Sequence, residues 1–420
     1  MDRLHGLIGI ALILGIAVLA SNNRRKINLR LVLSGITLQT VIALLIFKVG
    51  PIAHFFQLLG RGIGVLEACA RKGAGFVFGG IVVEEAPGKM VNYFSGGFTF
   101  VFNITSTIIL VCVLVAILYH FGIMQRVVAV IARAMNIVMR VSGAEALSNV
   151  ASAFVGQIEA QVMIRPYLGT MTNSEILASM SGSLACIAGG ILVVYANMGA
   201  AAGMDLAPKL LTASLMAAPG ALVIAKIVFP ETEESQTMGN VKLEVKNVYQ
   251  STIDAISHGC ADGLKISLNV FGMLIGFIAF IACIDWVLIF AGHHLHLGFD
   301  PTLNWIFGRL FYPMAWAMGV PSADVANVAT LLGQKLTINE FVAFQNLTNH
   351  SVPITTDKGL LILSIAICGF ANFSSVGMQI GGIGALVPER RSDLARLGLK
   401  ALLCGTLASY LSATIAGIII

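Results

Sequence analysis

Charged residues are scarce in this 420-residue chain, because Asp, Glu, Lys and Arg together make up only 11% of it. A soluble globular protein carries about twice that share. Apolar residues make up 57% of the chain, and its mean hydropathy is +0.88. Several segments reach the roughly 20 apolar residues that a helix needs to cross a bilayer. The composition excludes an ordinary soluble protein and predicts an all-α polytopic membrane protein.

The chain also lacks the motifs of several catalytic classes. It has no His-Glu-x-x-His, no Gly-x-Ser-x-Gly and no phosphate-cradling Gly-Lys-Ser/Thr string. Its seven cysteines show no paired spacing, and the histidines within 293–296 have no carboxylate at ligand spacing other than Asp300. We therefore expect free thiols, no metal site, no cofactor and no nucleic-acid partner, and neither an enzyme nor an ATP-driven pump.

Lysine and arginine are concentrated in residues 24–30, 126–140 and 390–400. By the positive-inside rule these three segments lie in the cytoplasm. This arrangement predicts about eight membrane spans, surrounded by lipid, with both termini outside. The expected spans are residues 4–20, 31–50, 99–121, 174–200, 209–229, 262–291, 358–385 and 397–419.

Two further apolar stretches cannot be simple spans, since each begins and ends on one side of the membrane. Residues 145–170 and 303–347 are broken by Gly and polar residues, which predicts two re-entrant hairpins that enter from opposite faces with protein-buried tips. Each precedes a span interrupted by small and polar residues. The two units therefore form inverted repeats, which in secondary transporters bracket a midplane site. For Gly189 and Gly190, close helix packing explains the small residues equally well.

Four segments follow from this organisation. Residues 1–144 contain scaffold helices and an interfacial helix within 51–95, and residues 145–230 form the first transport repeat. Residues 231–302 contain a polar connector and a scaffold helix, and residues 303–420 form the second transport repeat.

The tips of the predicted hairpins carry carboxylates, Glu159 and Glu340, inside apolar sequence. A carboxylate at the bilayer centre costs at least ~3 kcal/mol, so it normally faces a water-filled cavity on a substrate or ion path. Arg165 and Lys335 flank the tips and are candidates to neutralise these carboxylates. Arg165 is equally suited to a purely topological role at the interface.

Several short strings, among them VGQIEA at 155–160 and KLTINEFVA at 335–343, resemble the concentrative nucleoside transporter family. They occur in order over most of the chain from 150 to 420, and together they are highly specific. The strings are VGQIEA at 155–160 with IRPYL at 164–168, FPETE at 229–233, KLTINEFVA at 335–343, CGFANFSS at 368–375 and PERR at 388–391.

The resemblance implies a homotrimer in the bacterial cytoplasmic membrane, with one nucleoside site in each protomer. In that family the first hairpin binds the nucleobase, and the second hairpin with the interrupted seventh helix binds the ribose. An amide can both donate to and accept from a base, and a carboxylate can accept from two neighbouring hydroxyls. By matching position, the resemblance implies base contacts from Gln157, Glu159 and Ile191, ribose contacts from Glu340, Asn372 and Ser375, and packing of Phe370 at the sugar–base region.

Three positions depart from the family pattern. Ser152 and Cys186 replace the Asn and the Ser or Thr that, with backbone carbonyls near Val155, surround sodium in sodium-coupled members. A thiol is a poor ligand for this hard cation. Ile158 replaces a hydroxyl residue at the base-binding tip and cannot form a hydrogen bond. The predicted ion-coupling residues are Ser152, Val155, Cys186, Glu159 and Glu340.

We therefore expect ion-coupled nucleoside uptake by alternating access. Proton symport is favoured, because burial allows a carboxylate such as Glu159 or Glu340 to take up a proton near neutral pH. Sodium symport is the alternative, since Ser152 keeps one hydroxyl ligand. A nucleoside channel or receptor is a more remote alternative, because neither needs inverted repeats with paired hairpins. The preference for purines or pyrimidines stays open.

Overall fold

The structure, a computed structural model, describes residues 2–52, 83–86, 89–91, 98–237, 249–296 and 298–420, together with scattered residues between 54 and 77. The interfacial helix expected within 51–95 lies largely outside the described residues. In the first half of the chain the elements are α1 (Asp2–Leu19), α2 (Leu29–Lys48), the antiparallel strands β1 (Val83–Ala86) and β2 (Lys89–Val91), α3 (Phe98–His120), α4 (Ile123–Met139), α5 (Gly143–Ser152), α6 (Glu159–Met163), α7 (Arg165–Leu168), α8 (Asn173–Ala185) and α9 (Gly189–Ala201).

The second half is helical in its described part. Its elements are α10 (Ala207–Val228), α11 (Thr252–His294), α12 (Leu303–Leu310), α13 (Tyr312–Ala317), α14 (Val325–Thr337), α15 (Glu340–Thr348), α16 (Asp357–Ile367), α17 (Phe373–Leu386) and α18 (Arg391–Ile419).

Helical segments long and apolar enough to cross a membrane confirm the expected fold class. Four qualify by length and composition within the described residues, at 29–48, 173–201, 207–228 and 388–419. The bent pair α3–α4 makes a fifth if its two helices count as one span, and shorter apolar helices include His5–Leu19 and Ala279–His294. The expected number of eight spans is therefore not established by helix length alone.

Helix α4 is an addition to the expected spans. It follows α3 at a 77° bend, where Gly122 adopts a left-handed backbone with φ of +68°. Its buried residues Val128, Ala132, Met135 and Met139 recur every three or four positions, whereas Arg126 and Arg133 are exposed. This spacing gives one apolar face that packs on the neighbouring helices. The basic segment 126–140 is therefore an amphipathic helix.

The first hairpin consists of α5, a tip at residues 153–158, and the short helices α6 and α7. The second hairpin consists of α14, a two-residue tip at Ile338 and Asn339, and α15. The second hairpin begins later than expected, because residues 303–317 form the separate helices α12 and α13, which both pack against α14. The chain turns between α13 and α14 at Gly319, whose φ is +83°.

The two interrupted spans are broken where small residues occur in the sequence. Helix α8 ends before Cys186 and α9 resumes at Gly189, and α16 ends before Cys368 and α17 resumes at Phe373. The breaks touch each other, since the Phe370 amide donates to the Cys186 carbonyl oxygen at 3.2 Å. A side chain at Gly369 would collide with the Ala185 carbonyl oxygen. Only glycine therefore allows this approach of the two breaks.

Carboxylates fix the first helix of each hairpin to the surrounding bundle. Glu145 in the first turn of α5 is buried and lies 2.8 Å from the ammonium of Lys226 on α10, which also lies 3.2 Å from Glu231. Asp324, at the start of α14, accepts 2.8 Å hydrogen bonds from both the amide and the hydroxyl of Thr355. These contacts hold the base of each hairpin, so the tips are positioned by rigid elements.

Helices α3 and α11 form a closely packed pair at one side of the molecule. A Cβ atom at Gly259 or Gly263 of α11 would lie 2.6 Å from the Cα atom of Val113 or Ile109 of α3, so these glycines permit the contact. Helix α3 also packs against α9. The pair therefore forms a wall beside the broken helix α8–α9.

Candidate substrate site

Both hairpin tips and both helix breaks meet around one cavity of about 470 Å³. Its volume falls within the roughly 300–1,000 Å³ typical of small-molecule sites. The wall formed by α3 and α11 contributes Ile108, Asp262, Lys265 and Ile266. All eight positions predicted to bind substrate line this cavity: Gln157, Ile158, Glu159, Ile191, Glu340, Phe370, Asn372 and Ser375.

Glu340 begins helix α15 and is only 6% exposed. One of its oxygens accepts a hydrogen bond from the Tyr195 hydroxyl at 3.1 Å, and the other accepts one from the Asn372 amide nitrogen at 2.9 Å. Each carboxylate oxygen has two lone pairs, so both oxygens retain acceptor capacity toward a ligand. Tyr195 is held in turn by stacking on Phe344, with ring centroids 4.4 Å apart.

Asn372 joins this carboxylate to the second helix break. Its side-chain oxygen caps α17 by accepting from the Ser375 amide at 2.8 Å, while its nitrogen donates to Glu340. The cap fixes the amide orientation, because only its oxygen can accept from the helix N-terminus. The Ser375 hydroxyl is buried and has no hydrogen-bond partner among the described residues. It is therefore available to a ligand in the cavity.

The first tip presents an amide with few competing contacts. The Gln157 oxygen accepts a long 3.4 Å hydrogen bond from Gln379, and its nitrogen lies 4.0 Å from the Met378 sulfur. Gln379 is itself bound to the Met180 carbonyl oxygen at 3.2 Å. Gln157 is thus oriented by α17 through weak contacts that a base edge could replace.

The side chains of Glu159 and Ile158 at the first tip have different surroundings. The Glu159 side chain is exposed to the cavity, and its carboxylate lies over Gly156, where a side chain would collide with it. Ile158 packs on Gly382 of α17, where an added Cβ atom would lie 2.5 Å from the Cδ1 atom of Ile158. The aliphatic residue at this position therefore contacts α17 as well as the cavity.

The five predicted ion-coupling residues do not all lie in one place. Val155, Glu159 and Glu340 line the cavity, whereas Ser152 and Cys186 are buried behind the first tip. The Ser152 hydroxyl donates to the Ser148 carbonyl oxygen at 2.8 Å and lies 2.8 Å from the Ser183 hydroxyl.

Gln161 extends this contact into a buried hydroxyl–amide network. Its nitrogen donates to Ser183 at 2.8 Å and to Ser148 at 3.1 Å, and its oxygen accepts from Ser179 at 2.7 Å. The network joins α5 and α6 of the first hairpin to α8. Polar groups in the low-dielectric interior are costly unless paired, and here they pair with one another.

Sequence reasoning missed several residues of the cavity wall. Tyr195 lies one helical turn after Ile191, so the predicted position of Ile191 could have pointed to it. Asn339 caps α15 by accepting from the Val342 amide at 2.9 Å. Lys265 belongs to α11, and no signal in the local sequence brings that helix to the two hairpins.

The groups in the cavity wall are suited to binding a polar ligand. Three carboxylates, Glu159, Glu340 and Asp262, and one ammonium, Lys265, face a space that also offers amide and hydroxyl groups and an aromatic face from Phe370. Within the described residues, no group of three or more His, Cys, Asp or Glu side chains is arranged to hold a metal ion. The wall can therefore hydrogen-bond a neutral polar ligand at both ends while packing on its centre.

Comparison with protein families matches almost the whole chain to nucleoside transporters. Residues 8–81 match "Na+ dependent nucleoside transporter N-terminus", residues 209–417 match "Na+ dependent nucleoside transporter C-terminus", and residues 101–202 match "Nucleoside recognition". The matched families describe transporters and not enzymes.

Individual relatives match from end to end. Nucleoside permease NupC of Helicobacter pylori is 36% identical, over 100% of this chain and 98% of the relative. The solved structure of CNTnw in an inward-facing substrate-bound state has a TM-score of 0.90 and 37% identity, and covers 100% of this chain and 99% of that chain. An outward-facing variant of CNTnw has a TM-score of 0.89 and 38% identity, with 100% and 98% covered. This multi-pass membrane protein belongs to the concentrative nucleoside transporter family.

Proposed function

We propose that this protein takes up nucleosides across the bacterial cytoplasmic membrane by ion-coupled symport with alternating access. The observation that carries the proposal is that both hairpin tips and both helix breaks line one cavity. Glu340, Asn372 and Ser375 contribute a carboxylate, an amide and a hydroxyl that has no hydrogen-bond partner among the described residues. Gln157 and Glu159 contribute an amide and a carboxylate from the first tip. The existence of inward-facing and outward-facing structures of a relative that matches the whole chain supports alternating access.

The ribose end of the ligand would bind to Glu340, Asn372 and Ser375. Glu340 keeps acceptor capacity on both oxygens, and vicinal hydroxyls can donate to both at once. The unpartnered Ser375 hydroxyl adds a donor or acceptor at the same end. A ligand without these hydroxyls would leave buried polar groups unpaired, so selection for ribose should be strict.

The base end would bind to the first hairpin. Gln157 offers a donor and an acceptor, and Glu159 offers acceptors to an amino or imino group. Ile191 and Ile158 supply apolar contacts to the base plane, and Phe370 packs between base and sugar. Because Ile158 cannot hydrogen-bond, base selection rests on Gln157 and Glu159.

Proton coupling is the favoured form of symport. The Ser152 hydroxyl is already engaged by Ser148 and Ser183, and Cys186 offers sulfur where sodium needs oxygen. The carboxylates Glu159 and Glu340 remain as groups that can carry the coupling charge. Sodium symport is the second candidate, because both terminal family matches are described as Na+ dependent.

The proposal includes an assembly and an orientation. A scaffold of residues 1–144 and 231–302 would hold two mobile repeats, 145–230 and 303–420, in each subunit of a homotrimer with both termini outside. The close pairing of α3 with α11 supports a scaffold distinct from the repeats. Multi-angle light scattering of the purified protein and accessibility of cysteines introduced at each terminus test these two points.

Uptake by the full-length protein in proteoliposomes tests the function. Radiolabelled uridine and adenosine should accumulate against their gradients when the outside is acidic in sodium-free buffer, and a protonophore should abolish that accumulation. Strict dependence on sodium at fixed pH would overturn proton coupling in favour of sodium. Equilibration without accumulation under either gradient would indicate a channel, and no uptake of any nucleoside would overturn the proposed transport.

A further inference from the structure

A lysine is completely buried beside the substrate cavity without a direct partner. Lys335, in the last turn of α14, has 0% exposure. Its ammonium nitrogen has no hydrogen-bond partner among the described residues, and the side chain is not part of the cavity wall. A buried charge is costly unless an opposite charge compensates it.

The compensating charge is Glu340, across the two-residue tip of the second hairpin. Only the tip residues Ile338 and Asn339 separate the end of α14, which carries Lys335 in its last turn, from Glu340 at the start of α15, so the two opposite charges lie at the same end of the hairpin. Both groups also suit their own helices, because a cation is stabilised at the C-terminus of α14 and an anion at the N-terminus of α15. The hydrogen bonds to Glu340 come from the neutral groups of Tyr195 and Asn372. They orient the carboxylate without supplying a positive charge.

Other titratable groups do not replace this cation. The elements packed against α15 are α9, α14 and α16. Helix α9 carries only Tyr195, α14 carries only Lys335, and α16 carries Asp357 and Lys358 in its first turn. At 1.5 Å per residue these two lie about 15 Å from the break at which α16 approaches Glu340. Cys368 lies at that break. Lys265 is the cation in the cavity wall, and it belongs to α11, which is not among the elements packed against α15.

We propose that Lys335 is a positioning residue that keeps Glu340 ionised, so that both carboxylate oxygens accept from the ribose hydroxyls. The inference rests on the proposed nucleoside function and adds a group that does not touch the substrate. With Glu340 held as an anion, Glu159 is the one of the two predicted coupling carboxylates that can take up the coupling proton.

The sign of the pH effect follows from this role. A buried carboxylate that loses its neighbouring cation binds a proton at higher pH. A protonated Glu340 has one oxygen that donates instead of accepting, so it loses part of its grip on vicinal hydroxyls. In a variant without the lysine charge, ribose binding should therefore weaken at low pH and recover as the pH rises. A merely structural loss would be the same at every pH.

Calorimetric titration of the purified full-length protein from pH 6 to pH 8.5 tests the inference, with uridine and 2′,3′-dideoxyuridine as ligands. Wild type is the reference at each pH, because any effect of Glu159 protonation on uridine affinity is shared by wild type and variant. Lys335→Met should lose roughly tenfold or more at pH 6 and recover toward pH 8.5, and its preference for uridine over the dideoxy analogue should shrink only at low pH. The matched control Lys358→Met removes the same charge from the far end of α16 and should resemble wild type.

A double variant keeps the test decisive if Lys335→Met folds poorly. Lys335→Met with Glu340→Gln removes both charges, so it should recover the melting temperature and bind uridine weakly at every pH. If the single and double variants are equally unstable, Lys335 serves some other contact and the inference fails. It also fails if Lys335→Met shows the wild-type pH profile, or a loss that is uniform with pH. Failure of wild type to bind uridine, cytidine and adenosine would instead refute the proposed function.

Discussion

Replacement of Glu340 by glutamine tests the ribose assignment with the smallest change in shape. The carboxylate now accepts from Tyr195 on one oxygen and from Asn372 on the other. Glutamine has one acceptor oxygen and one donor nitrogen. Because the Asn372 amide nitrogen can only donate, the glutamine oxygen would face Asn372 and the NH₂ group would face Tyr195, whose hydroxyl would then accept instead of donating. A ribose hydroxyl that donates to the oxygen on that side would lose its acceptor.

The size of the effect follows from the hydrogen bonds that are lost. A hydrogen bond to a charged group contributes about 1.5–3 kcal/mol. Since about 1.4 kcal/mol is tenfold in affinity, loss of one such contact weakens uridine binding roughly 10- to 150-fold. Glu340→Ala removes both acceptors and should abolish transport. The oligomer should persist, because the lost contacts are mainly those to the ligand.

Competition binding with uridine, 2′-deoxyuridine and 2′,3′-dideoxyuridine measures this directly. Glu340→Gln should weaken uridine strongly and the dideoxy analogue little, so that the two affinities converge. The control Tyr195→Phe removes one intramolecular donor and should cost only roughly 2- to 10-fold. Size-exclusion chromatography should give the wild-type elution volume for each variant. Wild-type uridine uptake by Glu340→Ala would refute the ribose assignment.

Three further variants address the base, the ion and the helix breaks. Gln157→Ala should raise the apparent KM for uptake by a factor that differs among uridine, cytidine and adenosine, whereas a uniform loss with poor folding would indicate a structural glutamine. Glu159→Gln should make uptake insensitive to external pH and to protonophores, and continued acceleration by an inward proton gradient would exclude Glu159 as the proton carrier. Gly369→Ala should lower stability by about 1–3 kcal/mol, because the added methyl group meets the Ala185 carbonyl; Gly377→Ala, where a Cβ atom meets nothing within 4 Å, should leave the melting temperature unchanged or raised.

The interruptions of the membrane helices could be predicted because they violate the local pattern. Glu159 and Glu340 are carboxylates in apolar sequence, and apolar sequence around small residues such as Gly189 and Gly369 favours broken helices at mid-depth. These signals depend on neighbouring residues alone. The approximate positions of both hairpin tips and both breaks therefore follow from the sequence.

Other features depend on contacts between distant segments. Tyr195 and Glu340 are 145 positions apart, and nothing near either residue indicates the other. The burial of Lys335 likewise follows from packing of three helices around the second tip. Helix α4 is a different case, because the spacing of its apolar residues does predict an amphipathic helix. The interpretation of Arg126, Arg133 and Arg140 as markers of the cytoplasmic side alone did not include that helix.

The hydroxyl–amide network behind the first tip bears on how an ion can drive this transporter. In sodium-coupled members the family pattern places an ion near Ser152, where it would hold the hairpin to the neighbouring broken helix. Here Ser152, Gln161 and Ser183 make that connection through hydrogen bonds within the protein. The first hairpin is then joined to α8 whether or not a cation is present, so a cation there could contribute little to the movement of the tip. The proposed proton coupling would act through a group whose charge changes at the cavity itself, and Glu159, exposed at the tip of the same hairpin, is in position to do so.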